Sequence, residues 1–226
     1  MRTLSELVDK EEPGWDLVKE WFKNAKNHYE ILPRDDKRAE KELIKAQVTT
    51  RSPMGAVIYE TGGILIDHGW IRVLGSGHPK LNRGLIEWNK GKSFKDDELP
   101  QYLLVADDVI GGYFAINAGA FGCDMGHIYY LAQDSLEWEN MECGYSDFLS
   151  WVFNGDIQLF YKTFKWNTWK EDVTQINGNQ VFSFFPFLWT KCDNIEERSR
   201  KPVPIEESFA LVMELQQQLQ KRLPID

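Results

Sequence analysis

The chain has 226 residues, a formal net charge of −9 at pH 7 and a high aromatic content of 9 Trp, 8 Tyr and 13 Phe. This composition excludes a disordered chain, because disordered sequences are poor in aromatic residues. The negative balance argues against non-specific binding to nucleic acids or anionic membranes, since both attract a basic surface.

The N-terminus and the cysteines predict a cytoplasmic protein. No apolar run follows Arg2, so we expect no signal peptide. The most apolar stretch, residues 181–189, is far shorter than the roughly 20 residues that span a bilayer. Cys123, Cys143 and Cys192 are odd in number and widely spaced, which gives no disulfide framework.

The first third of the chain is predicted to be helical. Apolar residues recur at steps of three or four from Trp15 to Tyr29, which predicts a helix with one apolar face. Pro33 ends this pattern, and Asp35 can cap a second helix that carries Leu43 on its apolar side.

From Gly55 onward the pattern changes to short β-like runs separated by glycines. Short glycine-containing connections between such runs indicate hairpins, so we predict a meander. The predicted strands are residues 56–59, 64–67, 70–74, 102–106, 112–117 and 127–131. A helix is predicted over residues 145–153, where apolar residues have helical spacing, and Gly155 ends it.

The last third contains fewer clear signals. Residues 181–189 predict a strand, residues 195–204 a surface connection, and the apolar spacing from Phe209 to Leu219 a terminal helix. No repeat or linker divides the chain, so we expect a single domain over residues 1–226. Its parts are N-terminal helices in 1–50, a sheet core in 55–155 and a C-terminal extension in 156–226.

Two glycine-containing stretches fall short of nucleotide-binding motifs. The stretch from Gly75 begins like G-x-G-x-x-G, but Lys80 occupies the last glycine position, where close helix packing excludes a side chain. Residues 91–93 match the end of a P-loop, but Ile86 stands where its first glycine is required. We therefore predict no cofactor.

Two loose groups of residues leave an enzymatic alternative open. Cys123 and His127, with a nearby acid, are one group, and Asp67, His68 and His78 are the other. Neither group has the paired spacing that makes a zinc motif specific, so we predict no bound metal. A small hydrolase or a metal-dependent enzyme built on either group is the alternative function.

Three runs of the sequence resemble a family of bacterial proteins known only as a conserved domain of unknown function. They are TGGILIDHGWIRVLGSGHPKLNRGLIEWN at 61–89, LLVADDVIGGYFAINAG at 103–119 and GHIYYLAQDSLEWENMECGYSDFLSWVFNG at 126–155. The order of parts is also similar to the SUKH superfamily, in which a strand ending in acidic residues precedes a Gly-Gly turn, two strands and a helix. In this chain the parts are Asp107-Asp108, Gly111-Gly112 and residues 113–117, 126–130 and 146–151.

The resemblance implies an α+β fold with a central, mostly antiparallel sheet flanked by helices, SUKH-like, here followed by a C-terminal β/α extension. Many SUKH proteins are immunity proteins that bind and neutralise a toxin encoded beside them, and others are interaction modules without catalysis. The resemblance therefore implies a non-enzymatic protein-binding module whose partner is a toxin, and the acidic balance of the chain predicts that the toxin domain is basic.

Aromatic and acidic residues are the candidates for the binding surface. Trp and Tyr anchor protein interfaces, and acidic side chains steer a basic partner toward them. The predicted contact residues are Asp107, Asp108, Trp88, Glu137 and Trp138. A homo-oligomer that uses residues 181–189 as its contact strand is a further possibility.

Overall fold

The computed structural model describes residues 1–95, 98–192 and 194–222. Within them, a seven-stranded antiparallel sheet has the same spatial order as the chain. Its strands are β1 (Tyr29–Pro33), β2 (Thr61–Ile66), β3 (Ile71–Leu74), β4 (Tyr102–Asp108), β5 (Tyr113–Asn117), β6 (His127–Leu131) and β7 (Trp138–Gly144). A second antiparallel sheet pairs β8 (Gln180–Phe185) with β9 (Ser199–Pro204).

Helices cover both faces of the large sheet. They are α1 (Leu4–Leu7), α2 (Gly14–Lys23), α3 (Asp36–Ala46), α4 (Pro53–Glu60), α5 (Leu85–Asn89), α6 (Tyr145–Asn154), α7 (Ile157–Phe160), α8 (Trp169–Gln175) and α9 (Ile205–Arg222). Successive strand residues point to opposite faces. Accordingly, Phe114 packs on Phe148 of α6 at 5.0 Å, whereas Tyr113 packs on Phe209 of α9 at 5.1 Å between ring centroids.

This architecture confirms the predicted α+β fold, with a mostly antiparallel central sheet between helices and a C-terminal β/α extension. No helix of the described residues is both long enough and apolar enough to cross a membrane.

The predicted strand at residues 56–59 is wrong, because these residues belong to α4. Ser52 caps this helix by accepting a hydrogen bond from the Gly55 amide, and Pro53 occupies its first turn. Residues 55–58 are all buried, so the helix lacks a polar face. A short, wholly apolar helix cannot be told from a buried strand by periodicity.

The N-terminal helix is shorter than its apolar spacing predicts. Helix α2 ends at Lys23, and Tyr29 begins β1, the first edge of the sheet. Tyr29 nevertheless stacks on Phe22, with ring centroids 5.3 Å apart. The regular spacing thus reflects one shared apolar core rather than one continuous helix.

The C-terminal hairpin corrects another expectation. Residues 199–204, predicted as part of a surface connection, form β9 and pair with β8 in continuous register. Pro202 and Pro204 lack the amide hydrogen that a central strand needs. Prolines therefore argue against a strand when only the sequence is considered, although they are compatible with an edge strand. The terminal helix is confirmed and begins directly after β9, at Ile205.

Candidate protein-binding surface

Asp107 lies in the interior between two arginines. Its carboxylate contacts Arg72 Nε at 2.6 Å and Arg83 Nη1 at 2.7 Å, and none of its surface is exposed. The same arginines donate to backbone carbonyls at the start of the C-terminal hairpin, Arg83 to Gly178 and Arg72 to Gln180. Burial lowers the pKa of Arg72, and Asp107 opposes that shift. The cluster therefore fastens the hairpin to the sheet.

Asp108 has a different set of partners. Its Oδ1 accepts from the amides of Ile110 and Gly112, and its Oδ2 accepts from the hydroxyls of Tyr130 and Tyr161 at 2.7 and 2.9 Å. Burial raises the pKa of Asp108, although these hydrogen bonds favour the charged form. Four donors satisfy the carboxylate inside the core, which makes it a structural group.

These placements correct three of the expected contact residues. Asp107 and Asp108 are fully buried, and Trp88 is only 2% exposed, so none can touch a partner while the fold is intact. Trp88 packs on Phe209, and the guanidinium of Arg83 lies 4.5 Å from its ring centroid. The physical reason is that all three lie on elements covered by other parts of the chain.

Glu137 and Trp138 lie at the surface instead. Glu137 is exposed and Trp138 is half-buried, at the start of the last strand of the sheet. The turn before them is firmly held: Leu136 adopts a positive φ of 58°, is buried, and accepts a hydrogen bond at its carbonyl from Gln216 of α9 at 2.7 Å. The rest of the fold therefore fixes the position of this edge.

An aromatic cluster surrounds Trp138. Its indole stacks on Phe121 at 4.4 Å and contacts Tyr102 at 5.8 Å, and the rings of Phe121 and Tyr102 are 5.3 Å apart. All three residues are half-buried, so part of the cluster is accessible to another molecule. With Asp124 and Glu137 they define what we call the Trp138 surface (Tyr102, Phe121, Asp124, Glu137 and Trp138).

Hydrogen bonds hold Asp124 beside this cluster. Its Oδ2 accepts from the Tyr129 hydroxyl at 2.7 Å and from the amide of Asn140 on β7. The Tyr129 hydrogen bond is the main cause that lowers the pKa of Asp124, and it raises the pKa of Tyr129. Nδ1 of His127 lies 3.8 Å from the same carboxylate oxygen. Asp124 therefore keeps its negative charge in mildly acidic solution.

Charge along the chain is strongly segregated, a signal that motif searching missed. Residues 96–161 contain twelve Asp and Glu and no Lys or Arg, so the remainder of the chain carries a small positive balance. This segment supplies strands β4 to β7 and helix α6. On β7 and the turn before it, the acidic residues are exposed: Asp134, Glu137, Glu139 and Glu142. A charge profile along the sequence would have found this surface.

The edge strand itself is poorly suited to pairing with a strand of another protein. Pairing of β6 with β7 slips between His127 and Tyr129, and Glu142 adopts a positive φ of 54° in the resulting bulge. Charged residues and bulges both obstruct strand addition at a sheet edge. Contact at this edge is therefore expected to run through side chains.

Comparison with known proteins supplies the family. The family described as "Protein of unknown function DUF2625" matches residues 4–208. The chain belongs to the DUF2625 family. An uncharacterised protein of Haemophilus influenzae Rd is 50% identical to it over 211 residues, 92% of each chain. YbfG, an uncharacterised protein of Escherichia coli K12, is 42% identical over 217 residues, 96% of this chain and 98% of YbfG.

The first enzymatic alternative depends on Cys123 and His127. Both residues lie near the Trp138 surface of this DUF2625 protein. Asp124 is the common neighbour: it contacts His127, and Cys123 helps to lower its pKa. Asn140 also contacts His127, at 3.3 Å between its Oδ1 and the ring Nδ1. The centre of the arrangement is thus a carboxylate, and the Cys123 thiol lies at its exposed margin.

The second alternative depends on Asp67, His68 and His78, and each of these residues has a different partner. Asp67 is buried and forms an ion pair with Lys165. His68 stacks on His28 at 4.3 Å, and His78 forms a β-bridge with Leu81 instead. No group of three or more His, Cys, Asp or Glu side chains in the described part of the chain is arranged to hold a metal ion.

Proposed function

We propose that this DUF2625 protein is a protein-binding module whose Trp138 surface binds a basic partner protein. The observation that carries the proposal is the half-buried aromatic cluster of Tyr102, Phe121 and Trp138 within the segment that lacks Lys and Arg. Elsewhere on the chain, acidic residues are interspersed with basic ones, as on α3.

The physical basis is the division of labour at protein interfaces. A Trp that is already held by stacking loses little conformational freedom on binding and buries a large apolar area, which makes Trp a frequent hot spot. Charges around such an anchor mainly increase the rate of association and select the partner. Glu137 and Asp124 supply that charge here, and Asp124 is held in position by Tyr129.

The more specific form of the proposal is an immunity protein of SUKH type that works in the cytoplasm and occludes a basic toxin domain. It is supported by the motif order around Gly111-Gly112, by the antiparallel sheet between helices, and by the acidic surface. A toxin that acts on nucleic acid needs a basic groove. An acidic surface with an aromatic anchor complements such a groove.

Affinity purification from bacterial cells tests the binding proposal. Tagged wild-type protein, Trp138→Ala and Trp15→Ala are compared, because Trp15 is also half-buried but lies on α2. We expect a protein with a pI above about 9 to be retained by the wild type and by Trp15→Ala, and to be lost from Trp138→Ala. The complex must then re-form from purified components with defined stoichiometry. If every interacting protein is retained by Trp138→Ala, the proposal fails.

Co-expression tests the immunity role separately. Each basic toxin domain encoded beside a DUF2625 gene is expressed with the wild type or with Trp138→Ala. Growth rescued by the wild type and not by the variant supports the role. If the toxins bind the protein but kill the cells regardless, binding stands and immunity fails.

A further inference from the structure

A cleft lies between the β8–β9 hairpin and α9, and none of the residues that define the Trp138 surface lines it. Its volume is about 190 Å³. Its walls are mainly aromatic and aliphatic, supplied by Phe182, Phe184, Phe187, Leu188, Trp189 and Leu211. An apolar cavity of about 150 Å³ is enough for one benzene ring, so this cleft accepts a single ring rather than a nucleotide.

A buried arginine holds the loop that carries the aromatic wall of the cleft. Arg198 is 6% exposed and donates to the carbonyls of Pro186, Phe187 and Thr190 and to the Thr190 hydroxyl. Within the loop so held, the rings of Phe187 and Trp189 stack at 4.3 Å. The wall is therefore preorganised, as the walls of small-molecule sites usually are.

One polar atom in this cleft lacks a partner among the described residues. Gln133 lines the cleft and is only 6% exposed, and no acceptor in the described part of the chain pairs with its buried Nε2. Buried amide groups are nearly always hydrogen-bonded, so an unpaired one is a place where a bound molecule can supply the missing partner. Rotation of the terminal amide exchanges its nitrogen and oxygen, so it can pair with a ligand that carries both a donor and an acceptor.

The charges at the cleft indicate a neutral ligand. Its lining contains one cation and one anion, Lys201 and Glu207, which balance each other. The other polar lining residues are Gln133, Ser183 and Ser208, and they carry no charge. A charged ligand would enter apolar walls without a counter-charge of its own, which is unfavourable.

We propose that this cleft binds a small, uncharged, single-ring molecule that carries a carboxamide or lactam. The ring lies against Phe187 and Trp189, and its amide pairs with the Gln133 side chain. This inference is independent of the proposed function, because it involves other residues and a different class of ligand.

Benzamide and toluene are the probes that test the cleft. They share the ring, and only benzamide carries the amide. We expect benzamide to bind with about millimolar affinity and to shift the indole N–H signal of Trp189 in NMR spectra, assigned with Trp189→Phe. Toluene is expected to bind at least tenfold more weakly. Absence of a saturable Trp189 shift with benzamide would overturn the proposal.

Gln133→Leu tests the role of the amide, and Gln218→Leu, on an exposed part of α9, is the matched control. Replacing an unpaired buried amide by an apolar side chain of similar size is close to neutral for stability, so the variant is expected to fold. We expect Gln133→Leu to weaken benzamide binding at least tenfold and Gln218→Leu to leave it unchanged. If Gln133→Leu binds benzamide as the wild type does, or if benzamide and toluene bind the wild type equally, the cleft is only an apolar cavity and the proposal is wrong.

Discussion

This protein has two pairs of acidic residues near aromatic side chains. One pair is buried and the other is exposed. Asp107 and Asp108 end β4 in the interior, where Asp107 forms ion pairs with two arginines and Asp108 accepts hydrogen bonds from two tyrosines. Glu137 and Glu139 flank Trp138 in sequence at the edge of the same sheet and are exposed, and the alternation of β7 turns Glu139 to the face opposite the indole. Sequence neighbours alone do not distinguish the two pairs. What distinguishes them is whether the fold brings donors to them from distant parts of the chain.

The buried pair is therefore expected to affect the stability of the fold, and the exposed pair to affect binding. A buried carboxylate that is paired with buried donors holds parts of the fold together. Removal of one member of such a pair leaves an uncompensated buried charge. Exposed carboxylates on an edge strand contribute little to stability and remain available to another molecule. Four variants test this difference between the buried and the exposed acids.

The largest expected effect is that of Asp107→Ala. The substitution leaves Arg72 and Arg83 buried without their carboxylate, so we expect the free energy of unfolding to fall by about 3–5 kcal/mol. Urea denaturation followed by circular dichroism measures it. A loss below about 1 kcal/mol would show that the buried cluster does not contribute substantially to the stability of the fold.

Tyr161→Phe is expected to have the next largest effect. It removes one of the four donors to Asp108, at a site with no solvent to replace it, and should lower the free energy of unfolding by about 1–3 kcal/mol. The matched control is Tyr59→Phe, since Tyr59 is only half-buried and stacks with Arg34 through its ring. Equal losses in both variants would contradict a special role for the Asp108 network.

The double variant Glu137→Lys/Glu139→Lys is expected to leave the fold almost unchanged. Both side chains are exposed, so the free energy of unfolding should change by no more than about 0.5 kcal/mol. The same denaturation experiment applies. A loss as large as that of Asp107→Ala would mean that the edge acids are structural after all.

The smallest effect is a change of pKa. In the folded protein the Tyr129 hydroxyl holds the pKa of Asp124 below its ordinary value, so this contact stabilises the fold at higher pH and is lost as the pH falls through the lowered pKa. Tyr129→Phe should therefore raise the pKa of Asp124 toward the ordinary value. NMR titration of the carboxyl carbon measures it, and an unchanged pKa would show that another group sets it.

Sequence patterns predicted the fold better than the site. The spacing of Phe148, Leu149 and Val152 gave α6, and the hairpin from Ile64 to Leu74 was correct because its two strands are close in sequence. Strand β7 was missed because it lacks apolar alternation and lies at an edge.

The contact residues were harder to predict because burial depends on distant partners. Asp107 and Asp108 resemble turn residues in sequence, and only the fold brings Arg72, Arg83 and Tyr161 to them. Neither spacing nor composition carries that information. The distribution of charge does carry the position of the exposed acids, since Lys and Arg are absent from 96–161.

The most direct test of the acidic binding surface is a calorimetric titration of the purified basic partner into charge-reversed variants. Glu137→Lys/Glu139→Lys is compared with Glu11→Lys/Glu40→Lys, which makes the same change in net charge at exposed positions elsewhere. We predict at least a tenfold loss of affinity for the first variant, diminishing as salt is added, and little change for the second. Equal affinity for both variants would contradict the proposed role of these edge acids in binding.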